Sequence, residues 1–290
     1  IAHHESQEIP GEIRAAWLRE IHPDCEIDLV PDTLGDDTSR WAEFTVARLG
    51  RAPDVVFSSE QYGARFATLM GARHVMVDRE RQAVPISGAK VRAAPLRHLS
   101  FLEPCVRAWF VRRVVIVGAE STGKTTLAQD LARRFDTLWV PEFGREHWEK
   151  KIERWREGDP PPSWGPDEFL EIALEQQRRE EAAARVANRV LFADTNAFAT
   201  GTWYERYREA RDPRVDAVGA RDRAHLYLLA SSHVPFVQDG FRDGESIRDW
   251  MDARLEEQLL EGAVPWVRLR GGFPERTAAA IRAVEDLLAD

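Results

Sequence analysis

Arg112-Arg113-Val114-Val115-Ile116-Val117-Gly118-Ala119-Glu120-Ser121-Thr122-Gly123-Lys124-Thr125 is the stretch that decides the fold. An apolar run of strand type ends at Gly118, a glycine-rich turn follows, and an amphipathic pattern of helical period begins at Lys124. The turn matches G-x-x-x-x-G-K-[ST] in full. Glycines allow the backbone to wrap an anion with N–H groups pointing inward, and the next helix aims its N-terminus at the same place. Gly118, Glu120, Ser121, Thr122, Gly123, Lys124, Thr125 and Thr126 are therefore the expected nucleotide-binding residues. Lys124 reaches the β- and γ-phosphates of ATP, and Thr125 offers a hydroxyl to Mg²⁺.

Outward from this loop, apolar strand-like runs alternate with helical stretches, the pattern of an α/β protein with a mostly parallel sheet flanked by helices. Strands are expected at 112–117, 138–140, 190–193, 226–230 and 265–269, and helices at 124–135, 166–187 and 275–288. Consecutive prolines make 157–166 a loop. Upstream, helices are expected at 12–20, 39–49 (with Ser39 as N-cap) and 61–70, and strands at 26–30, 54–58 and 74–77. The pattern weakens across the proline-flanked 95–104, which places the domain boundary there, and a clean new unit begins at Arg112, so domains are expected at 1–111 and 112–290.

Acidic partners for the loop lie downstream. Asp194 ends an apolar strand, the position from which a carboxylate serves Mg²⁺ or an acceptor hydroxyl. The alternative is a cap on the next helix. Glu142 and Arg145 follow the strand at 138–140, on the sheet edge where substrates bind, with a charged first helical turn as the alternative. Arg242 and Arg248 sit in a glycine-containing segment suited to a lid over transferring phosphate. The Gln- and Arg-rich run 175–179 reads as a pocket wall or a solvated face.

Composition narrows the class. At 43% hydrophobic and 31% charged residues the chain is globular, and a net charge of −9 argues against nucleic acid as partner. Cys25 and Cys105 form no metal or disulfide spacing, so a reducing, cytoplasmic setting is expected. No apolar run approaches the ~20 residues that cross a membrane.

V-V-I-V-G-A-E-S-T-G-K-T-T-L-A, W-V-P-E-F-G-R-E, F-A-D-T-N-A-F-A-T and V-Q-D-G-F-R-D-G, in that order, resemble the kinase half of NadR-type bifunctional proteins. Those proteins join a nicotinamide-mononucleotide adenylyltransferase to a ribosylnicotinamide kinase. The resemblance implies a kinase domain at 112–290 that phosphorylates nicotinamide riboside with ATP and Mg²⁺. Lys124, Asp194, Glu142, Arg242 and Arg248 would be its catalytic residues, with Thr125 and Asp194 on the metal. An aromatic such as Trp203, Tyr204 or Phe143 would stack on the pyridinium. Residues 1–111 then resemble a Rossmann-like nucleotidyltransferase, with Ser87 and Arg92 in an I-S-G-x-x-x-R element on ATP phosphates. That domain is expected to be partial. The family's opening strand and histidine element have no counterpart in the numbered sequence, where His3 and His4 lack the glycine and proline context. The alternatives are a kinase for another nucleoside or small molecule, and a non-catalytic ATP-binding regulator.

Overall fold

The structure, a computed structural model, describes residues 1–238 and 244–289. Two compact units divide the chain, Ile1–Glu103 and Pro104–Asp290.

The first unit carries β1 (Ala2–His3), α1 (Gly11–Ile21), β2 (Val30–Pro31), α2 (Thr38–Leu49), β3 (Val55–Ser58), α3 (Tyr62–Met70), β4 (Arg73–Met76) and α4 (Gly88–Ala93). β1 pairs with β2 and β3 with β4, both parallel. The strand expected at 26–30 is realised only as Val30–Pro31, because β1 offers two residues of ladder. The N-cap of α2 is Asp37, not Ser39: Asp37 Oδ1 accepts from the N–H groups of Ser39 (3.0 Å) and Arg40 (3.1 Å). A carboxylate two residues before the first free amides reaches both of them, and its charge suits the helix's positive end. Small side chains fill the interior of this unit (Ala15, Ala42, Ala67), while Phe57 and Tyr62 stay exposed.

The second unit holds α5 (Pro104–Phe110), β5 (Arg112–Val117), α6 (Lys124–Arg134), β6 (Trp139–Val140), α7 (Phe143–Arg154), α8 (Pro166–Ala184), β7 (Val190–Asp194), α9 (Ala197–Arg208), α10 (Pro213–Gly219), β8 (Leu226–Ala230), α11 (Arg248–Glu261), β9 (Trp266–Leu269) and α12 (Phe273–Ala289). Its sheet is fully parallel, in the order β6-β7-β5-β8-β9. β5 lies at the centre, with the next strands placed on either side of it. Strand order reverses there, so a crevice opens beyond the carboxyl ends of β5 and β7.

Period-two alternation sorts the strands' side chains onto two covered faces. Val114, Ile116, Phe192 and Leu228 pack against Leu127 and Leu131 of α6 and Ala280 and Val284 of α12. Val115, Val117, Ala193 and Leu229 face the other way, against Ala199 of α9 and Leu255 and Leu259 of α11. Both faces being buried, the central strands read as unbroken apolar runs. Truncating one of these large side chains to alanine costs about 3–5 kcal/mol.

Candidate active site

The glycine-rich loop spans the gap from β5 to α6. Gly118 adopts φ +150°, and a Cβ there would lie 2.5 Å from the Ala230 carbonyl, so only glycine lets the loop cross the end of β8. Gly123 sits at φ +83° with open space where a side chain would be. Ser121 also takes a left-handed conformation, φ +58°, and its Oγ accepts from the Val237 N–H at 2.7 Å. A loop of this shape turns successive amides to one side. Lys124 is 7% exposed, and its Nζ donates to the Ala119 carbonyl at 3.1 Å.

A cavity of about 410 Å³ opens from this loop. Glu120, Ser121, Thr122, Gly123, Lys124, Thr125 and Thr126 form one end of it. At the other end stand Trp148, Trp164, Trp203 and Tyr207, over an apolar floor of Ile152, Phe169 and Ile172. Trp148 and Trp164 stack with ring centroids 4.6 Å apart, and Trp203 stacks with Tyr207 at 6.5 Å. Trp164 belongs to the proline-rich loop read from the sequence. Lys151 fixes that loop by donating to the Ser163 carbonyl at 2.6 Å and to Glu168 at 2.7 Å.

Two carboxylates belong to this site, Glu142 in the cavity lining and Asp194 against the Thr125 hydroxyl. Glu142 occupies the N-cap position of α7 but makes no capping bond, and its side chain lines the cavity. Removal from bulk water pushes its carboxyl up to about 7, with Asp194 and Glu120 adding to the rise and Lys124 and Arg145 opposing it. Asp194 ends β7 and is 1% exposed. It does not cap the following helix: Asn196 does, its side chain accepting from the Ala199 N–H at 3.3 Å. Instead the Thr125 hydroxyl donates to Asp194 Oδ2. Asp194 Oδ1 is buried without a hydrogen-bond partner among the described residues. Burial raises this carboxyl too, against the pull of Lys124 and the Thr125 hydroxyl. The next residue, Thr195, is held at φ +67°, a costly conformation of the kind that gathers at functional sites.

Gln176 joins the two carboxylate-bearing strand ends. Its Oε1 accepts from the Phe143 N–H at 2.9 Å, next to Glu142. Its Nε2 donates to the Thr195 carbonyl at 3.4 Å, next to Asp194, and to Glu180 Oε1 at 3.2 Å. The sequence offered Gln176 only as part of a run read as a pocket wall or a solvated face, and it gave Trp148 and Trp164 no role. The signal for Gln176 was there: Phe169, Ile172, Gln176 and Glu180 recur at helical spacing on the buried stripe of α8, where a polar residue requires a partner.

Other expectations land elsewhere. Of the aromatics named for stacking, Trp203 lines the cavity. Phe143 instead lies under the Arg179 guanidinium at 4.4 Å, and Tyr204 packs edge-on against Phe169. Arg145 is at the rim, its Nε donating to Glu149 at 2.9 Å. Arg248 is 8% exposed, faces the Phe236 ring at 5.7 Å, and is not among the cavity's lining residues. Arg242 lies outside the described residues. Ser87 and Arg92 belong to the first unit, where Ser87 Oγ caps α4 by accepting from the Lys90 N–H at 3.2 Å. Arg178 and Arg179 pair with Glu175 and Glu146, the solvated-face reading of that run, while Gln176 turns inward and lines the cavity, the pocket-wall reading.

The AAA-domain family model matches residues 113–276, more than half of the chain. The trifunctional NAD biosynthesis/regulator protein NadR of Escherichia coli is 30% identical over 275 residues, covering 93% of this chain and 66% of that protein. The NadR protein of Salmonella typhimurium is 29% identical over the same shares. The chain thus spans a little under two thirds of the length of these relatives. A solved NadR structure in complex with NR shares the fold with a TM-score of 0.78, at 22% identity over 100% of this chain and 87% of that one. A second, in complex with NAD and AMP-PNP, gives 0.72 at 21% identity, over 99% of this chain and 86% of that one. The chain belongs to the AAA-domain family of P-loop proteins, and it is a homologue of the NadR proteins.

Proposed function

We propose that the second unit transfers the γ-phosphate of ATP to the 5′-hydroxyl of nicotinamide riboside, giving nicotinamide mononucleotide for NAD biosynthesis. One observation carries this reading: a phosphate-binding loop, an aromatic pocket and the ionisable carboxyl of Glu142 line one cavity. The aromatic end suits a flat cationic ring, which gains from stacking and from cation–π attraction. The relatives' association with NAD biosynthesis, and with NR in one solved complex, supports that choice of acceptor.

Phosphoryl transfer asks mainly for alignment and for neutralisation of charge. The loop amides and Lys124 hold the triphosphate. The acceptor's ring, seated among Trp148, Trp164, Trp203 and Tyr207, turns its hydroxyl toward Glu142. A carboxyl titrating near 7 is suited to take a proton at neutral pH. Glu142 accepts the hydroxyl proton, the oxygen bonds to the γ-phosphorus, and the bond to the β-phosphate oxygen breaks, releasing ADP. Thr125 Oγ1 and the buried Oδ1 of Asp194, which has no hydrogen-bond partner among the described residues, are hard oxygen donors that fit Mg²⁺ and would hold it. The ion would supply neutralisation of the phosphate charge. Arg248, and Arg242 in the neighbouring segment, are the cations proposed to close over the phosphate.

The first unit is read as an adenylyltransferase-like domain, with Ser87 and Arg92 as its phosphate contacts, and the setting as cytoplasmic. Among the described residues no helix is long and apolar enough to cross a membrane. Rates of ADP release with nicotinamide riboside, uridine, thymidine and no acceptor test the kinase reading. Release with the riboside alone supports it. Release with another nucleoside in its place overturns the acceptor, and no release with any overturns the kinase.

A further inference from the structure

Glu120 is the third residue of the phosphate loop, a position from which the backbone, not the side chain, serves the nucleotide. Its side chain is 16% exposed and turns away from solvent toward α9. Oε1 accepts from Arg206 Nη1 at 3.0 Å, and Oε2 accepts from the Gly244 N–H at 2.8 Å. Arg206 is itself 6% exposed along its side chain. Its guanidinium lies 5.2 Å from the centroid of Trp203, one helical turn back on α9, and 4.5 Å from that of Tyr207, the next residue. Both rings belong to the aromatic end of the cavity.

This arrangement poses an electrostatic problem. An arginine on an aromatic wall already uses the rings' negative faces and adds a positive charge behind them. A cationic ligand on the same wall would meet that charge in a water-poor site, where charges are weakly screened. Glu120 places a compensating negative charge beside the guanidinium, inside the loop that holds the phosphate donor.

Resting on the proposed acceptor, we propose that the Glu120–Arg206 pair is a specificity device: Glu120 neutralises the guanidinium behind Trp203 and Tyr207 and so lets the aromatic end of the cavity accept a ring that carries a positive charge. The residue acts through Arg206 and the two rings, without touching the acceptor. Removing its carboxylate takes one negative charge from the wall, whatever else Arg206 contacts. The same pair ties the donor loop to the acceptor wall, so the discrimination is built into the fold before either substrate arrives.

The test is calorimetric binding of two ligands of nearly equal shape: nicotinamide riboside, which is cationic, and its dihydro form, which is neutral. Glu120→Gln keeps the size and one of the two acceptor oxygens, gives up the hydrogen bond to either Arg206 or the Gly244 N–H, and removes the charge. The expected result is that Kd for the cation rises about tenfold, the scale of one partly screened unit charge, while Kd for the neutral form changes less than threefold. The double variant Glu120→Gln with Arg206→Gln, neutral again, recovers most of the cation's affinity. Equal weakening of both ligands by Glu120→Gln, or a double variant that binds the cation no better than the single one, overturns the proposal. Failure of the unaltered protein to bind nicotinamide riboside at all would instead overturn the acceptor reading beneath it.

Discussion

Glu142→Gln is the perturbation whose consequences can be followed furthest. In the unfolded chain the carboxyl titrates near its ordinary 4.5, and in the folded cavity near 7. Below pH 4.5 both states hold the proton and the residue adds nothing to pH dependence. Between 4.5 and 7 the folded state binds more protons than the unfolded one, so stability falls as pH rises. Above 7 the buried charge exacts its full cost, at most about 3.5 kcal/mol, since each factor of ten in proton affinity corresponds to about 1.4 kcal/mol. Glutamine fills the same space and cannot ionise. The variant's melting temperature should therefore match the parent's at pH 4.5 and exceed it by several degrees at pH 8.5, at about 2–4 °C per kcal/mol for a unit of this size. Its kcat with ATP and acceptor should fall by about 10²–10⁴, the usual worth of a positioned base. Calorimetric melting at the two pH values and steady-state kinetics measure both. A variant equally displaced at both pH values, or less stable at 8.5, would refute the buried-charge argument. A loss of kcat below about tenfold would remove Glu142 from proton transfer.

Other outcomes are simpler. Lys124→Ala should weaken ATP binding and reduce ADP release by at least about a hundredfold, since the loop loses its one phosphate-directed side-chain cation. Trp164→Ala should raise KM for the riboside by about 3- to 30-fold and leave KM for ATP within about twofold, because it removes a stacking partner from the acceptor end only. Gln176→Leu leaves the partly buried Phe143 N–H without its acceptor, at about 1 kcal/mol, and frees the start of α7 that carries Glu142. It should lower kcat more than either KM, and an unchanged kcat would show that Gln176 does not position the carboxyl.

The central strands and the loop were legible because their signals are local. Gly118–Ala230 proximity requires glycine, and β5, β7 and β8, covered on both faces, carry unbroken apolar runs at 114–117, 190–193 and 226–230. Glu142 and Asp194 were legible by position, each following a strand at the substrate edge of the sheet. Which of their two readings holds was not legible, since only geometry shows Asn196 taking the cap and Thr125 meeting Asp194. The aromatic end was mostly hidden. Trp148, Trp164 and Trp203 come from a helix, a proline-rich loop and another helix, and no spacing rule links them. The edge of the first unit was misjudged at residues 26–30 because a strand's length depends on the partner it finds, here the two residues of β1.

The most direct measurement is to follow the label of γ-³²P-ATP in a single turnover with nicotinamide riboside and to locate it on the product. The account predicts that it appears on the riboside's 5′ oxygen, with ADP formed in equal amount. Label released as inorganic phosphate, or carried to another nucleoside while the riboside stays unphosphorylated, would contradict it.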